Sequence, residues 1–174
     1  ISDEINRGNL SKIFGELFML IEKDKRGIEL QLLYSDENFS VPANVYIIGM
    51  MNTADRSLAM LDYALRRRFS FFTMKPGFNT PGFQAYQDSL KNDAFNKLIA
   101  CVKQLNSKIA EDISLGEGFC IGHSYFCGLT PETANTQTLS SIVEYELIPL
   151  LKEYWFDEPA KIVDWSDRLR SAVK

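Results

Sequence analysis

Apolar residues are spaced differently in the two halves of this 174-residue chain. In residues 11–24, SKIFGELFMLIEKD, Ile13, Phe14, Leu17, Phe18, Leu20 and Ile21 fall on one helical stripe. Asn9 or Ser11 can cap its start, and Gly27 can close its last turn. IELQLLY (28–34) and NFSVP (38–42) read as short strands on either side of the turn signal SDEN. VYIIGMM (45–51) is a continuous apolar run of the kind buried in a parallel sheet. A short helix over 57–67 and a strand over 69–74, FSFFTM, complete this half.

KPGFNTPGF, with two Pro and two Gly in nine residues, marks the clearest boundary. Beyond it the pattern is helical. DAFNKLIACVKQLNSKIA predicts one long amphipathic helix, SSIVEYELIPLLKEYWF a second and AKIVDWSDRLRSAVK a third. The order is therefore strand–helix–strand–helix–strand followed by a helical cap.

Composition adds limits. A hydrophobic fraction of 45%, with 12 Phe and 7 Tyr, is ample for a globular core. No apolar run approaches the ~18 residues of a membrane span, and no signal-peptide pattern occurs, so no membrane role is expected. Cys101, Cys120 and Cys127 are odd in number and too far apart for a C-x-x-C metal site, which fits a reduced, cytoplasmic setting. A net charge of −4 opposes DNA binding by this chain, because a DNA-gripping surface needs excess Lys and Arg.

Three places carry candidate chemistry. In ISDEINRGN, Asp3 and Glu4 form an acidic pair at the end of a strand-like start. One carboxylate there can hold Mg²⁺ among waters and phosphate oxygens, and its neighbour can polarise an attacking water. An isolated Asp-Glu pair is otherwise a solvated surface feature. Asn52 ends the VYIIGMM run, where its amide can donate to a phosphate oxygen and accept from a water; it can equally form a local turn. Asp55 can cap the helix beginning near Ser57. Arg66, Arg67 and Arg68 close the 57–67 helix, where cations complement the helix dipole, and Arg66 can pair with Asp62. His123, the single histidine, reads as a hydrogen-bonded structural residue.

The segments ISDEINRGN and MMNTADRSLAMLDYALRRRF together resemble the AAA+ superfamily and, within it, the McrB branch, whose members hydrolyse GTP in 5-methylcytosine-specific restriction. The resemblance implies an α/β fold: the C-terminal part of an AAA+ P-loop NTPase core over residues 1–76, then a small α-helical lid over 77–174. It implies Asp3 as the Mg²⁺-binding Walker B carboxylate and Glu4 as its catalytic neighbour. Asn52 becomes the sensor of the terminal phosphate, with Asp55 beside it in the signature Asn-Thr-Ala-Asp as a candidate for guanine-nucleotide chemistry or water positioning. Arg68, and next Arg67, match the arginine that reaches into a neighbouring subunit of a ring. GTP (or ATP) and Mg²⁺ are the implied cofactors. A self-assembled hexameric ring, an McrC-like nuclease subunit and DNA bound through a domain outside this chain are the implied partners. No G-x-x-x-x-G-K followed by Ser or Thr occurs, so the chain reads as a C-terminal fragment expected to be inactive alone. Residues 118–126 contain no arginine, so no lid sensor is assigned. The competing reading is an AAA+ remodelling or chaperone-type ATPase with no nuclease link.

Overall fold

A computed structural model describes residues 2–8, 10–52, 54 and 66–174. It divides into two compact units, Ile1–Phe72 and Thr73–Lys174.

In the first unit Ser2 and Gly49 form a parallel bridge. Ser2 donates its N–H to the Ile48 carbonyl at 2.9 Å, and its own carbonyl accepts from Met50 at 2.9 Å. The helix expected over 11–24 is shorter than its apolar stripe. Helix α1 spans Leu10–Phe14, and the chain continues as 3₁₀ turns at Gly15–Met19 and Lys23–Lys25. The physical cause is Gly15, whose φ of 51° lies in the left-handed region that a right-handed helix excludes. The stripe is still used in part. Phe18, Leu20 and Ile21 are buried, Phe69 packs against Phe18 and Ile21, and Ile13 turns outward.

The hairpin read around SDEN is present but short. Strand β1 (Leu30–Gln31) pairs antiparallel with β2 (Asn38–Phe39), in the register Leu30↔Phe39 and Gln31↔Asn38. Asp36, with φ of 55°, helps to turn the connection. The strand expected over 69–74 does not form. A strand is held by its ladder, and these residues pair with no strand among the described residues, leaving Phe72 and Met74 nearly fully exposed. The 57–67 helix lies outside the described residues apart from Arg66, which is helical, and Arg67, which sits in the following turn.

The second unit is helical. Helix α2 spans Pro81–Leu90, α3 Asp93–Glu111, α4 Thr136–Ile142, α5 Ile148–Tyr154 and α6 Pro159–Ala172. Three of them start at side-chain caps: Thr80 accepts from the Phe83 N–H at 3.3 Å, Asn92 from Phe95 at 2.9 Å and Asn135 from Thr138 at 2.9 Å. The apolar face of α3 is Phe95, Leu98, Ile99, Val102, Leu105 and Ile109, all essentially inaccessible to water. It packs against α6, and Leu139, Leu147, Leu151, Trp155 and Leu169 complete the same core.

Helices α4 and α5 are joined by a π segment, Val143–Leu147, in which the Ile148 N–H donates to the Val143 carbonyl five residues back. Pro149 explains the wider turn. It lacks an N–H, and its ring crowds the carbonyl four residues earlier in a regular α-helix. Among the described residues no helix is long and apolar enough to cross a membrane.

Candidate functional site

Ser2 and Gly49 meet in an isolated parallel bridge, not in a strand of a sheet, and Val45, Tyr46, Ile48 and Met50 around it are exposed. Asp3 and Glu4 follow Ser2, and Asn52 follows Gly49 by three residues, so both segments continue past the bridge in the same direction.

Asp3 is exposed, and its Oδ1 accepts the Glu4 N–H at 2.9 Å. A single exposed carboxylate could serve Mg²⁺, which keeps most of its waters and takes phosphate oxygens as further ligands; among the described residues no group of three or more His, Cys, Asp or Glu forms a metal cage. Glu4 occupies a left-handed backbone conformation (φ 46°, ψ 44°) and is ion-paired with Arg7. The Ile5 N–H, just beyond, donates to the Met50 carbonyl at 2.9 Å.

Asn52 makes the local turn that its residue type favours, with Oδ1 accepting the Ala54 N–H at 3.0 Å. That bond uses Oδ1 as an acceptor, and Nδ2 is the donor end of the same amide. Asp55 and Asp62 lie outside the described residues.

The three arginines differ. Arg66 and Arg67 are exposed. Arg68 is not: its side chain is 14% exposed, Nη2 lies 2.5 Å from Glu22 Oε1, and the guanidinium sits 4.4 Å from the centre of the Phe18 ring. Glu22 and Phe18 hold this cation against its own chain, a contact with no signal in the local sequence.

The second unit contains polar anchors that sequence reasoning did not single out. Asn106 on α3 clasps the backbone of Ile121, accepting from its N–H at 2.7 Å and donating to its carbonyl at 2.9 Å. The Tyr86 hydroxyl accepts from the Leu129 N–H at 2.9 Å and donates to the Phe126 carbonyl at 2.9 Å. Asp112, just past α3, accepts from the Ser114 hydroxyl at 2.6 Å, the Trp155 indole at 2.9 Å and the Lys161 ammonium at 3.0 Å. The Ser114 hydroxyl foremost, then the indole and the ammonium, hold the Asp112 carboxyl well below the usual carboxylate range. This cluster floors an open cleft of about 390 Å³ between α3 and α6. Its cations and acids neutralise one another: Lys108 with Glu111, Lys161 with Asp112, Arg168 with Asp164.

His123 is structural, as its isolation suggests. Its Nδ1 accepts the Gly77 N–H at 3.0 Å, and its ring meets Phe78 and Phe83 edge-on. A side chain at position 77 would come within 2.9 Å of that ring, so glycine is required there. Burial pushes the Cys101 and Cys120 thiols up, which disfavours the reactive thiolate form.

Known proteins resemble this chain in both units. Residues 1–69 match the AAA domain family (dynein-related subfamily), and residues 97–163 match the alpha-helical lid domain of McrB. The chain is 52% identical, over 97% of its length, to the type IV methyl-directed restriction enzyme EcoKMcrB subunit of Escherichia coli K12. It is 29% identical over 68% of its length to YdiS, a component of the type II restriction enzyme BsuMI of Bacillus subtilis 168. It spans 39% and 41% of those two relatives. With part of an AAA core in its first unit and the McrB lid in its second, the chain belongs to the McrB-like family of AAA+ NTPases.

Proposed function

We propose that this chain is the Walker B, sensor and lid portion of a GTP-hydrolysing motor subunit in a modification-dependent restriction system. What supports the reading is the match of residues 1–69 to the AAA domain and of 97–163 to the McrB lid, with the isolated Ser2–Gly49 bridge just ahead of Asp3, Glu4 and Asn52 in the sequence. Both relatives are named as a subunit or component of a restriction enzyme, which supports an assembly of several subunits. In this reading Asp3 would hold Mg²⁺ beside the phosphates of GTP (or ATP), where the ion would supply positive charge against theirs. Glu4 takes a proton from the attacking water, Asn52 donates to the terminal phosphate, and Asp55 helps to place the water. Arg68, on leaving Glu22 and Phe18, with Arg67 next, serves the site of the adjoining subunit in a hexameric ring, where such an arginine contributes about 10³–10⁵ in rate. The phosphate-binding loop and the DNA-reading domain belong to the rest of the cytoplasmic protein, an McrC-like nuclease is its partner, and the isolated chain is inactive.

The test uses the full-length protein with Glu4→Gln and Asp3→Asn. Glu4→Gln is expected to leave magnesium-nucleotide affinity within about twofold while turnover falls by about 10²-fold or more, because water activation is lost and metal binding is kept. Asp3→Asn is expected to weaken binding as well. Wild-type turnover in both variants would remove the assignment.

A further inference from the structure

We propose that Arg7 is a positioning residue for Glu4, fixing the carboxylate that activates water; this rests on the role proposed above for Glu4. The argument begins with backbone strain. Among the described residues three non-glycines have positive φ: Glu4, Asp36 and Lys91. Asp36 turns a hairpin and Lys91 ends helix α2, places where left-handed residues are ordinary. Glu4 is at neither kind of place. It precedes the 3₁₀ turn Ile5–Arg7, a position that favours extended backbone.

Hydrogen bonds on both sides impose this conformation. Ser2 is bound to Ile48 and Met50 through its N–H and carbonyl, and the Ile5 N–H is bound to the Met50 carbonyl at 2.9 Å. Glu4 must take the left-handed step between these fixed points. As a result its side chain shares one turn with Arg7, whose N–H donates to the Glu4 carbonyl at 2.9 Å and whose Nε meets Glu4 Oε2.

Magnitudes separate a positioning role from simple stabilisation. The Arg7 and Glu4 side chains are 58% and 40% exposed. An exposed pair of this kind stabilises a fold only slightly, less than left-handed backbone at a non-glycine costs it. The backbone bonds on either side account for the strained turn, and the exposed ion pair adds little to it. What the arrangement does achieve is orientation. The guanidinium, a donor only, occupies Oε2 and limits rotation of the carboxylate, so that Oε1 is the oxygen presented to a water.

The experiment measures turnover, nucleotide affinity and melting temperature for full-length Arg7→Ala, Arg7→Lys and Arg7→Gln, each alone and combined with Glu4→Gln. Arg7→Ala is expected to lower kcat by about 10–100-fold, the usual effect of losing a group that orients a reacting one. Affinity for fluorescent GTP with Mg²⁺ should stay within about twofold, since Asp3 is untouched. Arg7→Lys, which keeps a donor cation, should recover part of the loss. In the Glu4→Gln background Arg7→Ala should lower kcat little further, because the proposed effect runs through the Glu4 carboxylate. Wild-type kcat in Arg7→Ala, or an equal loss with and without Glu4, would overturn the proposal while leaving the Glu4 assignment standing. If Arg7→Ala melts early or fails to assemble, Arg7→Gln carries the same expectation with less change in packing. Normal turnover in Glu4→Gln itself would overturn both readings at once.

Discussion

Asp112→Ala should be the most damaging single polar substitution in the lid. The carboxylate is 10% exposed and accepts the Trp155 indole at 2.9 Å, where Trp155 itself is 1% exposed. Alanine would leave that buried N–H without its acceptor, which costs about 1–3 kcal/mol. The bonds from Ser114, to Oδ1 from both its N–H (2.9 Å) and its hydroxyl (2.6 Å), add about 1–2 kcal/mol. The Lys161 contact adds little, since Lys161 is 42% exposed and keeps Glu158 at 2.7 Å. The total is about 3 kcal/mol, equivalent to a fall of about 10–20 °C in the melting temperature of a unit of this size. Tryptophan fluorescence during thermal unfolding reads it directly. The pH dependence supplies the sign. Because the folded Asp112 carboxyl is held below its unfolded value of about 3.9, its stabilisation is complete above that pH and is lost as the pH falls toward the folded value. The gap between wild type and variant should therefore be constant near neutrality and narrow below about pH 4. A loss under about 1 kcal/mol, or a gap unchanged from pH 7 to pH 3, would refute the reasoning.

Two further outcomes are expected. Asn106→Ala removes both bonds to Ile121, a residue 1% exposed, and should cost about 2–3 kcal/mol in chemical denaturation; a cost near zero would mean that apolar packing alone holds that loop. Mixing full-length Arg68→Ala with Glu4→Gln protein should restore part of the hydrolysis that each lacks, because some interfaces in mixed rings pair an intact Glu4 with an intact Arg68. No recovery in rings shown to be mixed, for Arg68→Ala and then for Arg67→Ala, would place these arginines in service of their own chain.

The helices of the second unit were legible where a long apolar period met no interruption, as from Phe95 to Ile109. Helix α2 was passed over, although Thr80 followed by Pro81 is a recognisable start, because the Pro-Gly stretch around it reads as a boundary. The stripe from Ile13 to Ile21 predicts one helix, but periodicity does not report that Gly15 takes positive φ. FSFFTM has strand composition, yet a ladder is a property of the partner as much as of the strand. In the site, the motifs that carry Asp3, Glu4 and Asn52 were legible from residue type and order alone. The hold of Glu22 and Phe18 on Arg68 was not, because it joins residues more than forty positions apart through no local pattern. The Asp112–Trp155 bond, 43 residues apart, was hidden for the same reason.

The π segment before Pro149 gives the lid a place where its length can drift. Losing one residue from a regular helix swings everything downstream by about 100°, which would carry Leu151 and Trp155 out of the core. Val143–Leu147 already holds a surplus residue, and Tyr145, 80% exposed, is the one with least inside the protein. Its removal would return the turn to α geometry with both flanking faces in phase, provided that Pro149, itself exposed, were replaced in the same step by a residue that can donate. The bulge and the proline are thus coupled. Relatives that lack one should lack the other, and an insertion or deletion that breaks this pairing should be rarer than the paired change.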